Sequence, residues 1–377
     1  MGRVDVGVDF VKGPLDQIRM ANKCASSVGE QNSIKKKGAS GMSLFGRFTD
    51  MVDAVLAPPA PQGRASQSLR CVDLFSGIGG FHIAATALGL DVVFACDIDD
   101  DARAAYRHNF GLGPEGDITR IRVEDIPDHE LLFAGFPCQP FSIIGNKQGF
   151  SDPRGTLWFE VARIIRAKRP AGIVLENVKQ LTTADKGKVL QRILDDLTGL
   201  GYTTDHRILN AVNFGLPQKR ERTIIVATRV KFDKFPWPTE KAPMMSLSEV
   251  LEPNPDTKHF VSDRIREKRR EAHTPAVAPS IWHENKAGHI SSHPYSCAIR
   301  AGASHNYLLV NGERRLTPRE LLRLQGFPDS FEIVSTDSQA RKQAGNAVPV
   351  PLIQAAIEGV IGVLERSHQT ARVGATA

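Results

Sequence analysis

The stretch from Leu69 to Thr228 predicts an α/β fold, a doubly wound and mainly parallel sheet with helices on both faces, followed by a small irregular domain. Three observations carry that prediction. Apolar runs of strand length alternate with amphipathic segments of helix length. A glycine-rich turn, Ser76-Gly-Ile-Gly-Gly80, joins the first strand to the first helix. Acidic residues then recur just past strand ends, at Asp97, Asp117 and Glu176, the edge where such sheets bind ligands.

In chain order, Arg70 to Phe75 reads as a strand and Gly80 to Leu88 as a helix. Asp91 to Ala95 is a second strand, followed by a helix over Asp99 to Asn109. Gly116 to Ile118 closes a short third strand. Leu131 to Ala134 is a buried strand, Leu157 to Ala167 a helix, and Ala171 to Leu175 another strand. Val189 to Leu200 carries apolar residues at helical spacing, and Tyr202 to Leu209 and Arg222 to Thr228 are further strands. The pattern breaks between residues 231 and 296, a stretch rich in Pro and His with one charged helical piece, Asp263 to Glu271. Thr317-Pro318-Arg-Glu320 opens a new helix with proline in its first turn, and Pro349 to Leu364 is the last helix. The domains expected are therefore an extension over 1–68, a cofactor-binding and catalytic domain over 69–230, a module over 231–296, a return over 297–366 and a tail over 367–377.

The extension holds Lys35-Lys36-Lys37, a possible short helix over Ser43 to Leu56, and a proline-rich exit at Pro58 to Gly63 that reads as a linker. It receives no function. Hydrophobic residues make up 41% and charged residues 24% of the 377, as in ordinary globular proteins. Five scattered cysteines without CxxC spacing argue against a disulfide framework and a structural zinc site, and fit a reducing compartment. No apolar run approaches the ~18 residues of a membrane span. Met1 to Phe10 carry Asp5 and Asp9 and lack a signal-peptide core, so a cytoplasmic location is expected. The net charge of +6 suits a polyanionic partner.

The chemistry centres on Ala134-Gly-Phe-Pro-Cys138-Gln-Pro-Phe-Ser142. Pro137 and Pro140 stiffen a turn at the end of a core strand and give Cys138 a defined direction, as a nucleophile requires. A small buried thiol is the plainer alternative. Asp73-Leu-Phe-Ser-Gly77-Ile-Gly79-Gly80-Phe81 is neither GxGxxG nor a phosphate loop. With Asp97 placed to accept from ribose hydroxyls and Asp117 from an exocyclic amine, it suits a nucleoside cofactor without phosphates. Asp99 reads as a helix cap. Glu176, in Glu176-Asn177-Val178, lies near the Cys138 loop if the two strands are neighbours, and low dielectric there favours a protonated, donating carboxyl. Strand alternation puts Arg220 and Arg222 on one face, where paired guanidiniums meet a carbonyl or a phosphate; solvated edge charges are the alternative. Neither His82 nor His129 is an obvious partner for Cys138 in a hydrolase, although distance in sequence does not exclude one.

Taken together and in this order, these motifs resemble the DNA cytosine-5 methyltransferases over about Leu69 to Leu364. The match extends to Arg315-Leu-Thr-Pro-Arg-Glu320, Gln325-Gly-Phe-Pro-Asp329 and Gly345-Asn346-Ala-Val348. One departure is Asp97, where the family usually has Glu. The resemblance implies a Rossmann-like methyltransferase using S-adenosyl-L-methionine, with Phe75, Gly77, Gly79, Asp97, Ile98, Asp117, Ile118, Pro137, Leu157, Asn346 and Val348 at cofactor positions. It implies Cys138, Glu176, Arg220 and Arg222 as catalytic residues, no metal, and a cytosine flipped out of the duplex. Residues 231–296 fall where the family has its target-recognition module, with Arg264 to Arg270 as candidate phosphate contacts. Ser142 to Gly155 has the composition of a loop that closes over DNA. Double-stranded DNA is the implied partner of a monomer, either the modification partner of a restriction endonuclease or a solitary relative. A tRNA cytosine-5 methyltransferase and a non-catalytic DNA-binding relative are the alternatives.

Overall fold

A computed structural model describes residues 68–137, 157–238, 242–304 and 306–375. Cys138, the loop Ser142 to Gly155 and the expected helix Ser43 to Leu56 lie outside the described residues.

The first strand, β1 (Arg70–Leu74), is followed by helix α1 (Gly80–Thr86), β2 (Asp91–Cys96) and α2 (Asp100–Phe110). Next come β3 (Leu131–Ala134), α3 (Leu157–Lys168), β4 (Gly172–Val178), α4 (Lys188–Gly199), β5 (Thr203–Asn210), β6 (Gln218–Lys219) and β7 (Glu221–Thr228). Six of these strands form one sheet in the order β2-β1-β3-β4-β7-β5. The pairs β1–β2, β1–β3 and β3–β4 are parallel, whereas β7 runs antiparallel to both β4 and β5. The reversal follows from the connection. No helix of crossover length separates β5 from β7, so the chain turns back beside the strand it has just left.

Both faces of the sheet are covered, which is why all four residues of β3 are buried. On one face Trp158, Val161 and Ile165 of α3 pack with Ile193 and Leu197 of α4. On the other face α1 lies beside the last helix. The segment 337–367, which includes most of that last helix, is long and apolar enough to cross a membrane. Here it is core instead: Leu352, Ile353, Ile357 and Val360 are fully buried.

Two expected strands are corrected. The third strand ending at Gly116 to Ile118 is a single bridge, Cys96 to Glu115, followed by a 3-10 turn over Ile118–Arg120. Asp117 caps that turn, accepting from the backbone N–H of Thr119 (3.0 Å), and so competes with any continued ladder. The strand alternation that was to carry both Arg220 and Arg222 is interrupted at Arg220. There β6 leaves to pair with a later segment, and Arg220 donates its N–H to Asn210 Oδ1 (3.1 Å).

The remaining elements are α5 (Leu247–Val250), α6 (Asp263–Ala272), β8 (Ile281–Glu284), β9 (Ile290–His293), β10 (Ser296–Cys297) and β11 (Leu308–Val310). They are followed by α7 (Pro318–Arg323), α8 (Asp337–Asn346) and α9 (Val350–Ala375). A small antiparallel sheet runs β11-β8-β9, so its third strand comes from beyond residue 296. Three of the four arginines of α6 already have an acidic partner. Arg266 pairs with Asp263, Arg270 with Glu313, and buried Arg269 with Glu284 (2.7 Å). As expected, α7 starts at Pro318 under a Thr317/Glu320 capping box, and the fork of Arg314 grips Glu320 through two 2.8 Å bonds.

Candidate active site

At the carboxyl ends of β1 to β4 lies a cavity of about 460 Å³. Its lining includes Phe75, Gly77, Asp97, Ile98, Asp117, Ile118, Pro137, Leu157, Glu176, Arg220, Arg222 and Asn346, twelve of the fifteen expected site residues. Cys138 is not among the described residues. Gly79 and Val348 stand behind the wall rather than in it. Gly79 sits at φ 91° as the N-cap of α1, and a Cβ there would meet Phe110 at 2.2 Å. Val348 packs on Gly80, where an added Cβ would lie 2.6 Å from its Cγ2. Both shape the site from one layer back.

One half of the cavity is built by backbone. Phe75 adopts φ 58°, turning the chain so that the N–H of Gly77 reaches Asp97 Oδ2 (2.7 Å). Asp97 Oδ1 accepts from the N–H of Asp99 (2.8 Å). Burial pushes the Asp97 carboxyl up from its usual range, and these two N–H groups oppose the shift. Each oxygen keeps a second lone pair for a sugar hydroxyl. Asp99 is the cap that was expected, accepting from the N–H groups of Asp101 and Ala102 (3.1 Å each). Lys342 also reaches it (2.6 Å) and holds its carboxyl below the usual range. The bonds from Thr119 lower Asp117. Ile98, 74% exposed, offers an apolar platform at the mouth. Beneath, Asp73 is fully buried with neither carboxyl oxygen hydrogen-bonded, and burial then Asp97 push its pKa well up.

The other half is built by side chains. In the parallel register Ala134 lies opposite Leu175, so the turn leading to Cys138 and Glu176 leave adjacent strands side by side. A Cβ built on Gly135 would lie 3.9 Å from Glu176 Oε2. Asn177 Nδ2 donates to the carbonyl of Phe136 (2.9 Å), tying the same turn to β4. Glu176 Oε1 pairs with Arg222 Nε at 2.7 Å, both side chains about nine-tenths buried. Glu176 is therefore buried, as its strand end suggested, but against a cationic partner. Arg220 lies behind, fully buried, donating to the carbonyls of Ile299 (2.9 Å), Gly345 (3.1 Å) and Ala347 (2.8 Å). Burial, then the charge of Arg222, pulls its pKa down to about 9. It remains a cation at neutral pH.

Sequence reading missed Asn177 as a tether, and Lys342 and Gln343 as lining. Asn177 stood beside a chosen residue, but its partner is 41 positions away. The position of Asn346 was the only signal that α8 reaches the cavity.

The cavity's donors and acceptors fit a cationic nucleoside. Carboxylates wait for a diol and an amine, apolar side chains wait for a base, and no phosphate loop is present. A family model described as C-5 cytosine-specific DNA methylase matches residues 69–362. The chain belongs to that family. It is a DNA (cytosine-5-)-methyltransferase, and the methyl donor of this family is S-adenosyl-L-methionine. The Type II methyltransferase M.NgoBI of Neisseria gonorrhoeae is 52% identical over 291 residues, 76% of this chain and 91% of that protein. M.HaeII of Haemophilus aegyptius is 50% identical over 299 residues, 78% and 93% of the two chains. Among solved structures, S. pombe Dnmt2 aligns with a TM-score of 0.62 at 23% identity, over 78% of the methylase and 99% of Dnmt2. A putative DNA modification methyltransferase from an E. coli prophage aligns at 0.60 with 21% identity, over 79% and 100%. At those identities the structural likeness speaks for the fold alone.

Proposed function

We propose that this methylase modifies C5 of a cytosine extruded from a short, specific duplex sequence, as the modification enzyme of a type II restriction system or as a solitary relative. The observation that carries the reading is the buried Glu176–Arg222 pair, set beside the turn to Cys138 in the same cavity as Asp97. C6 of cytosine is weakly electrophilic and C5 a poor nucleophile. Addition of the Cys138 thiolate to C6 pushes electrons onto C5, while Glu176 engages N3 and N4 and helps N3 take a proton. Arg222 holds O2 of the base and orients Glu176. Arg220 fixes the carbonyls behind them and so positions the pair. Asp97, Asp117, Phe75 and Ile98 would hold S-adenosyl-L-methionine, whose sulfonium would supply an electrophilic methyl group for C5 and leave as S-adenosyl-L-homocysteine. Loss of the C5 proton then expels Cys138 and restores the ring.

A stacked base does not reach such a site, which is the argument for extrusion. Residues 231–296 are assigned to target recognition, acting from a monomer on DNA in the cytoplasm. The test is transfer of labelled methyl to duplex DNA, with tRNA as the competing substrate. Cys138→Ala and Cys138→Ser should lower the rate roughly a thousandfold or more while cofactor affinity is kept. Glu176→Gln should lose about a hundredfold or more. Wild-type protein should form a covalent adduct with 5-fluorocytosine DNA. Full activity in the Cys138 variants, or transfer to tRNA alone, would overturn the reading.

A further inference from the structure

We infer that Arg300 reads a guanine beside the extruded cytosine, through the two acceptors of its major-groove edge. The inference rests on the duplex-DNA reading above and adds a residue that selects sequence.

Arg300 follows the segment that joins the small sheet to the catalytic cavity. β10 pairs with β6, in register Ser296 to Gln218 and Cys297 to Lys219. The N–H of Ile299 donates to Gln218 Oε1 (3.1 Å), and its carbonyl accepts from Arg220 Nη1 (2.9 Å). Arg300 is therefore one residue past a direct contact with a cavity-lining guanidinium. Its own N–H donates to Tyr307 Oη (2.9 Å), and that hydroxyl donates to the carbonyl of Ala298 (3.3 Å). Arg341 fastens the following turn, donating to the carbonyls of Ala303 (2.9 Å) and Ser304 (2.6 Å). The segment even dictates Gly345, where a Cβ would lie 2.4 Å from the N of Ala301. A backbone held from this many directions is rigid.

The side chain on this rigid segment is exposed. Its guanidinium carbon stands 4.8 Å from the centroid of the Tyr307 ring, which limits its orientations without neutralising it. Arg300 has no ion pair with an acid among the described residues, whereas Arg266, Arg269, Arg270 and Arg314 each have one. Its charge is felt nearby: burial first, then Arg300, lowers the pKa of His283. A phosphate contact requires only a positive charge on a flexible stem. A planar fork on a backbone that packs against the cavity-lining Arg220 and Gly345 matches the O6 and N7 of guanine.

The experiment begins by mapping the wild-type target with bisulfite sequencing of DNA from expressing cells. Each guanine of that target is then replaced by 7-deazaguanine, which lacks the N7 acceptor. At one guanine next to the cytosine, the replacement should cost wild type roughly tenfold in kcat/KM. It should cost Arg300→Ala nothing further. Arg300→Lys should discriminate equally poorly there, and Tyr307→Phe should keep the same guanine with reduced selectivity. Cofactor binding and Tm confirm folding of each variant; if Arg300→Ala does not fold, Arg300→Lys decides. The inference is overturned if no guanine responds, or if the variants keep wild-type discrimination. It is equally overturned if affinity falls uniformly over all sequences and the salt slope drops by about one, the mark of a phosphate contact. Failure of wild type to methylate any duplex would instead reject the underlying reading.

Discussion

The two halves of the cavity hold charge by different means. Beside β1 and β2 the acids Asp97, Asp99 and Asp117 are met by backbone N–H groups no more than 20 residues away. Beside β4 and β7 the charged groups are met by side chains and carbonyls far along the chain: Glu176 by Arg222, and Arg220 by Ile299, Gly345 and Ala347. A backbone-built half is a rigid receptor for a cofactor of one shape. A side-chain-built half is complete only when the segment at Ile299 and the end of α8 have packed against it. The cofactor half should therefore tolerate damage to the docking, and the base half should not.

The largest effect expected from breaking that contrast is at Arg220. Arg220→Ala strands three buried carbonyls and should cost on the order of 3 kcal/mol in urea unfolding, with methyl transfer lost before cofactor binding. A variant that lost both together would erase the distinction between the halves. Asp97→Ala removes two charge-assisted bonds from the local half. It should weaken S-adenosyl-L-methionine about ten- to a hundredfold by calorimetry, with DNA affinity unchanged. Asp97→Glu should restore most of that loss.

A pH experiment sharpens the same contrast at the floor of the cofactor half. His82, bonded to Tyr106 Oη (2.6 Å), has its pKa lowered by burial to about 3. The unfolded state therefore binds the extra proton, and stability should fall as pH drops below about 6.5. Between pH 6.5 and 5 the His82 contribution is about 2 kcal/mol. Buried Asp73, its pKa raised, acts in the opposite sense and is common to wild type and variant. His82→Phe should flatten the acid side of the stability profile by about that amount; an unchanged slope would show that His82 titrates normally. The smallest effect is expected at Lys342, whose bond to Asp99 is a long-range side-chain clasp at the mouth of the local half. Lying at the surface, it should be worth less than about 1 kcal/mol, so Lys342→Ala should change cofactor affinity only a few-fold, and less at high salt.

Legibility followed the same division. The strand-turn-helix around Phe75 to Gly80 and the cap at Asp99 were readable because their partners are close in sequence and their residue types are forced by local sterics and hydrogen bonding. The strand expected at Gly116 failed for an equally local reason: Asp117 capped a turn instead. Arg220 and Arg222 were expected on one face and do line one cavity, yet alternation gave no hint that one is a fully buried clamp and the other an ion-pair partner. The partners of Arg269 and Arg270 were not legible because their acids, Glu284 and Glu313, come from other elements.

By itself, then, the sequence determined the alternation of strands and helices, the glycine turn, the acid-bearing strand ends and the family, all properties carried by residues within a few turns of one another. The tertiary structure alone decided that β7 inserts antiparallel between β4 and β5, that Glu176 meets Arg222, and that Arg300 stands exposed beside the cavity on a backbone fixed from elsewhere. The physical reason is that the first set is specified by backbone geometry and short-range hydrogen bonds. The second depends on which distant groups remain to satisfy a buried charge once the sheet, the small module and the last helices have closed around it.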